Sequence, residues 1–248
     1  MKKIITLISI MAICLSLLFN SCVAFAKEVN GNGKLVTQSV SVSNFSKIEI
    51  ETYVEIDYSQ GKSKGSLEFT VDENLLDYYN IYTKSGVLYI ELKKEHKNKV
   101  YLKPTKTLIT ISSEQLEKID IAGSSKINFC TPYTSKALEI DLAGSGSIFA
   151  DRFPVKIEEL EIDIAGSGNV HLMGAVREAK IDMAGSGNVY ALECKIANLL
   201  VDIAGSGNVE AHVTDKLNAD IAGSGDVKFK GEPVVTTDIA GSGKVKKL

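Results

Sequence analysis

The 248-residue sequence predicts an all-β fold, a parallel β-helix (a solenoid) with an irregular β-rich N-terminal portion. Three observations carry this reading. One short signature recurs seven times at a spacing near 20 residues. Within each copy, apolar and polar residues alternate with period two, the mark of a strand buried on one face. The twenty glycines are concentrated in that signature, while the chain has no Trp and only four Pro. Hydrophobic residues make up 44% and charged residues 24%, which excludes wholesale disorder. With 28 Lys and Arg against 31 Asp and Glu, the net charge is −3, which excludes a generally basic nucleic-acid binder.

Residues 1–26 read as a signal peptide. Lys2 and Lys3 form a short positive region, and the sixteen residues from Ile4 to Phe19 are apolar except for Thr6, Ser9 and Ser16. The run is short for a membrane span. Two ends are open. Ala24-Phe25-Ala26 is an A-x-A site that would leave Lys27 at the mature start. Ser21-Cys22 resembles a loose lipobox, in which case the signal is 1–21 and Cys22 is a lipidation candidate. Either way Lys2 and Lys3 are lost, leaving 26 basic against 31 acidic residues, net −5. Residues 27–44 are expected to be a linker.

Residues 45–118 form the irregular β-rich part. Lys47 to Tyr58 alternates over twelve residues, and Gln60 to Gly65 reads as a loop. Ser66–Val71, Tyr79–Lys84, Val87–Leu92, Val100–Lys103 and Leu108–Ser112 read as strands, with Ser85-Gly86 as a turn and one helical turn at 72–77. This part is expected to begin or cap the solenoid, since an open first coil would present a bare sheet edge.

Residues 119–248 carry the repeat, read as seven D-x-A-G-S coils. The copies run from IDIAGSSKI at 119, through IDIAGSGNV at 162, to TDIAGSGKV at 237. Asp120, Asp141, Asp163, Asp182, Asp202, Asp220 and Asp238 are spaced by 21, 22, 19, 20, 18 and 18 residues. A period this short excludes helical-hairpin repeats, and its irregularity fits coils whose loops absorb small insertions. In the third copy Ile162, Ile164, Val170 and Leu172 share one parity, with Gly166 and Gly168 on that same parity. There the strand either bends or ends in a Gly-Ser-Gly turn. Val155/Ile157, Ile196/Leu199, Val213/Leu217 and Val234/Val235 supply a second apolar run. Right-handedness is the general preference of parallel crossovers, not a reading of residues. Lys244, Lys246 and Lys247 are placed to blunt the last strand. Cys130 and Cys194 lie three coils apart, about 14 Å at 4.8 Å per coil. That exceeds the disulfide limit of about 7 Å, so two free thiols are expected.

Stacking would set the aspartates in one row, with neighbours repelling by about 0.9 kcal/mol even in water. Three roles are open for the row. Each Asp could accept turn hydrogen bonds, the row could bind cations, or an Asp-Ala-Ser-Asn face could recognise a ligand. The candidate recognition ladder is Asp141, Asp163, Asp182, Asp202 and Asp220 with Asn169, Asn188 and Asn208. No catalytic residue, metal ligand or cofactor site is read. G-S-G is not a nucleophile elbow, AGSGN is not a dinucleotide fingerprint, and the calcium signature G-G-x-G-x-D is absent. His171 and His212 are expected on the surface, and 93–99 is expected to be a solvated basic loop.

Asp72-Glu-Asn-Leu-Leu-Asp-Tyr78, Gly86-Val-Leu-Tyr-Ile90 and the serial D-[IL]-A-G-S-G motif resemble the putative auto-transporter adhesin head GIN domain family over about residues 45–245. The resemblance implies an exported, often lipid-anchored envelope protein of Gram-negative bacteria with a β-helical domain. The family has no established activity, so no site residue carries over. The expected function is a non-enzymatic adhesin or binding module at the outer membrane, cell surface or periplasm, with a glycan or cell-surface protein as partner. It would bind no nucleic acid and touch the membrane only through an N-terminal lipid. The alternatives are a carbohydrate-active β-helix enzyme, or a structural or sensory envelope protein.

Overall fold

A computed structural model describes residues 26–248. The signal segment, with Cys22, lies outside the described residues. Strand makes up 72% of the structure and helix 3%, and the strands stack as a β-solenoid of about six turns. The repeat region consists of β10 (Lys118–Gly123), β11 (Lys126–Phe129), β12 (Tyr133–Gly144), β13 (Ser147–Gly166), β14 (Asn169–Gly185), β15 (Asn188–Gly205), β16 (Asn208–Gly223), β17 (Asp226–Lys230), β18 (Val234–Gly241) and β19 (Lys244–Lys247). All pairings among them are parallel, and each repeat copy lies in register on the next.

The core is a set of apolar columns, one residue per coil. Ile119, Ile140, Ile162, Ile181 and Val201 form one, and Ile127, Ile148, Val170, Val189, Val209 and Val227 another; all are buried. Each such side chain contributes about 1.5–3 kcal/mol relative to exposure. Val234 and Val235, expected to face inward, are exposed. They belong to β18, which no further coil covers among the described residues.

Both readings of the glycine pair hold together. Strands β12 to β16 end at the first glycine and the next strand starts just past the second. The first adopts positive φ, +131° at Gly166 and Gly185, a region that L side chains avoid. A Cβ on Gly185 would lie 2.3 Å from the Gly166 carbonyl oxygen of the coil below. The bend nevertheless keeps its inter-coil hydrogen bonds: Ser186 N–H donates to Gly166 O at 2.8 Å, and Asn188 N–H to Gly168 O at 2.9 Å. The second glycine points into the core and leaves room for the coil below; a Cβ on Gly168 would meet Leu142 Cδ1 at 2.9 Å.

The N-terminal part joins the same stack. It contains β1 (Lys27–Asn30), β2 (Leu35–Ser41), β3 (Lys47–Ile50), β4 (Glu55–Gln60), β5 (Ser66–Asp72), β6 (Tyr79–Lys84), β7 (Val87–Leu92), β8 (Val100–Lys103) and β9 (Thr107–Ser113). A 3-10 turn spans Glu73–Tyr78. β3 and β4 form a full coil: Ile48 and Ile50 register on Ile119 and Ile121, and Ile56 and Tyr58 on Ile127 and Phe129. Their other edges pair in parallel with β7 and β9, so stack order departs from chain order. Antiparallel β2, β5 and β6 flank this end.

Residues 27–44 correct the linker expectation, because they hold β1, paired with β8, and β2, paired with β5. The reason is the fully buried Asp72, whose Oδ1 accepts from Gly33 N–H and Oδ2 from Thr105 N–H, both at 2.7 Å. The first repeat copy reads AGSS rather than AGSG because it abuts this non-repeat coil. Ser125 is buried there, and its hydroxyl accepts from Val54 N–H at 2.9 Å and donates to Thr52 O. Cys130 and Cys194 are free thiols, and burial pushes Cys194 up to about 12.

Candidate binding surface

Parallel register brings Asp120, Asp141, Asp163, Asp182, Asp202, Asp220 and Asp238 into one outward row, preceded by Glu49. The residues two positions earlier form a parallel column whose lysines offset the repulsion. Lys118 reaches Glu139 at 2.7 Å and Asp141 at 2.6 Å, and Lys180 reaches Glu161 at 2.6 Å and Asp182 at 2.9 Å. Asp163 sits between the two bridged aspartates. Burial first, then the charges of Asp182 and Asp141, pushes its carboxyl up to about 6. Asp120 is raised for the same reasons, burial first and Asp141 next. The Oδ1 atoms of Asp141, Asp163 and Asp182 are buried with no hydrogen-bond partner, so at these three the expected turn hydrogen bonds do not form through Oδ1.

Asn169, Asn188 and Asn208 form a second row past the Gly-Ser-Gly bend, not an extension of the aspartate row. Their amides are engaged along the axis. Asn188 Nδ2–H donates to Asn169 Oδ1 and Asn208 Nδ2–H to Asn188 Oδ1, both at 3.0 Å. Asn208 Oδ1 accepts from Asp226 N–H at 3.2 Å. This row is a chain of inter-coil braces. The serine hydroxyls at the bend, such as those of Ser167 and Ser186, are exposed. Among the described residues no group of His, Cys, Asp and Glu is arranged to hold a metal ion. Nor is any described helix long and apolar enough to cross a membrane.

Two residues beyond the asparagines lies a column the sequence reading passed over. Asn128, Phe149, His171, Tyr190 and Glu210 are in register. Phe149 and His171 stack with centroids 4.7 Å apart, and His171 and Tyr190 at 4.6 Å. Lys126 Nζ closes one end, 4.9 Å from the Phe149 centroid. The signal was available as three planar residues at equivalent repeat positions (SIF, NVH and NVY).

Just past this column the coils differ in length, and that difference opens a groove. Between the pairs Ala150↔Leu172 and Val155↔Gly174, β13 has four residues where β14 has only Met173. Between Ala191↔Ala211 and Lys195↔His212, β15 has three residues where β16 has none. The long coils bulge and the short ones do not, leaving a concavity of about 420 Å³ that runs from β13 to β16. Met173 and Leu192 line it with apolar surface, His171 and Tyr190 with rings, and Asp151, Glu193 and Glu210 with carboxylates. Glu193 and Glu210 are drawn toward Lys230 at 3.7 Å and Lys228 at 3.1 Å.

A family model described as "Putative auto-transporter adhesin, head GIN domain" matches residues 44–233. Among solved structures, a putative lipid binding protein from Parabacteroides distasonis is 30% identical, with a TM-score of 0.75, 90% of this chain covered and 100% of that one. A putative adhesin from Parabacteroides merdae is 26% identical, with a TM-score of 0.68 and the same coverage. A putative adhesin from Bacteroides fragilis has a TM-score of 0.79 at 24% identity over 89% of this chain and all of that one, a likeness of fold. No curated protein matches.

Proposed function

Since the chain belongs to the putative auto-transporter adhesin, head GIN domain family, we propose that it is an exported, non-enzymatic binding module of the cell envelope that works as an adhesin. One observation carries the reading. The solenoid displays an outward aspartate column in register through its seven repeat copies, which suits a ligand met side-on over an extended surface. Its interior is filled by buried Ile, Leu and Val, so binding belongs to the outside. A solved neighbour at 26% identity that is described as a putative adhesin supports the reading. One described as lipid binding offers a second occupant, which the filled interior would confine to the surface. The aspartates of the ladder, Asp141, Asp163, Asp182, Asp202 and Asp220, would supply charge, with Asn169, Asn188 and Asn208 bracing the coils beside them.

The test is saturable binding of the purified mature chain to glycan arrays and intact cells, with assay of released reducing ends. Saturable binding without product supports the module. Release of polysaccharide fragments would replace it with the carbohydrate-active enzyme. Retention unaffected by Asp163→Asn and Asn169→Ala would remove the ladder from the reading. Intact mass of the exported protein decides its attachment: a diacylglyceryl group on Cys22 supports a lipid anchor, and a free Lys27 start opposes one.

A further inference from the structure

We propose that the groove from β13 to β16 binds a neutral glycan strand, a proposal that rests on the binding-module reading and names its ligand. The rings supply the first argument. His171 covers one face of Tyr190, while the next coil places Glu210 on the other side. The Glu210 carboxylate is pulled toward Lys228, one coil further on, and both Tyr190 and Glu210 line the groove. The concavity is therefore lined by an aromatic ring and an acceptor on adjacent coils. Tyr190 is 39% exposed, ample for a ring to pack on it.

A pyranose presents an apolar C–H face and an equatorial belt of hydroxyls. Met173, Leu192 and the Tyr190 ring suit the first, and the carboxylates of Asp151, Glu193 and Glu210 suit the second as acceptors. With Lys228 beside Glu210 and Lys230 beside Glu193, the three carboxylates leave the groove with little net charge, which favours a neutral ligand over a charged polymer of either sign. The groove crosses three coil spacings, about 14 Å, the length of a short extended oligosaccharide. Glu210 is itself tied to the next coil, its Oε1 accepting from Lys228 Nζ at 3.1 Å, which holds its carboxylate beside the Tyr190 column.

The experiment is isothermal titration of the mature chain with cellohexaose, xylohexaose and mannohexaose, with polygalacturonate and a Lys-rich peptide as counter-probes. At least one neutral hexasaccharide should bind. Tyr190→Ala and Glu210→Gln should each weaken it at least tenfold, while Glu68→Gln, exposed on β5 and outside both the groove and the ladder, leaves it within twofold. Circular dichroism checks each variant's fold, and the milder Glu210→Gln carries the test where Tyr190→Ala unfolds. Equal affinity in the groove variants would overturn the groove assignment and leave the binding module standing. Failure of every neutral probe to bind, or preference for the Lys-rich peptide or polygalacturonate, would overturn the glycan class. Loss of cell binding altogether would remove the reading beneath it.

Discussion

Asp163→Asn should stabilise the protein at neutral pH, with a gain that disappears on acidification. The Asp163 carboxyl is pushed from its ordinary 3.8 up to about 6, by burial first and then by Asp182 and Asp141. A folded pKa above the unfolded one means that the fold binds a proton more tightly than the open chain. Stability therefore falls as pH rises from about 4 to 6, and the penalty is complete above that window. Two units at about 1.4 kcal/mol each set a ceiling near 3 kcal/mol. The site is only half-buried, so water screens part of it and about 1–2 kcal/mol is the working figure. Urea unfolding of both proteins at pH 4, 5, 6 and 7.5 is the assay. The midpoints should diverge as pH rises, with a Tm difference of about 2–8 °C at pH 7.5. A gain independent of pH, or a loss at pH 7.5, would refute the claim that charge on this row opposes folding.

Gly185→Ala should cost about 2–5 kcal/mol, combining positive-φ strain with a Cβ forced to 2.3 Å from the Gly166 carbonyl oxygen. Gly123→Ala has nearly the same φ, +132°, but open space around the new Cβ, so it should cost about 1–2 kcal/mol; equal losses in thermal unfolding would refute the inter-coil contact. Cys130 and Cys194 should both remain thiols in the mature protein, and Cys194 should react with a thiol reagent only after denaturation; a native mass two daltons short would contradict the coil spacing. Asp72→Ala should detach the N-terminal strands before the repeat unfolds, seen as early hydrogen exchange in β1, β2 and β8 while β13 to β15 stay protected. Simultaneous loss of protection would mean that the cap and the coils form one cooperative unit.

The fold was legible in the repeat because both of its signals are local. Period-two alternation tells which side chains face inward, and the glycine pair tells where the strand turns. One coil went unread although its sequence is almost a copy. Lys47-Ile-Glu-Ile-Glu-Thr-Tyr-Val-Glu-Ile-Asp-Tyr58 matches Lys118-Ile-Asp-Ile-Ala-Gly-Ser-Ser-Lys-Ile-Asn-Phe129 at the inward positions, but it lacks the glycine mark. Its bend at 51–54 is held by Ser125 of the neighbouring coil, a contact 71 residues away in sequence. The strands at 27–44 were missed for a similar reason, since their order depends on Asp72, itself 39 residues from Gly33.

The surface was legible only by row. Sequence spacing correctly put like residues in line, yet it could not tell which rows are already spent on one another. Asparagines 4.8 Å apart on adjacent strands are well placed to bond each other, so a row of like amides is the one least available to a ligand. Aspartates so spaced cannot bond each other when charged, and they recruit Lys118 and Lys180 instead. Availability arises where regularity fails. The uneven spacings of 22, 19, 20 and 18 residues were visible from the start. Their placement was not, because an insertion anywhere in a coil gives the same spacing. Register assigns most of the difference to the bend beyond Phe149, His171 and Tyr190, with a further one-residue shift between Ile196 and Asn198. A solenoid that varies its coil length mainly at one bend can cut a groove there without disturbing the apolar columns, and that is where a ligand-binding residue is best sought.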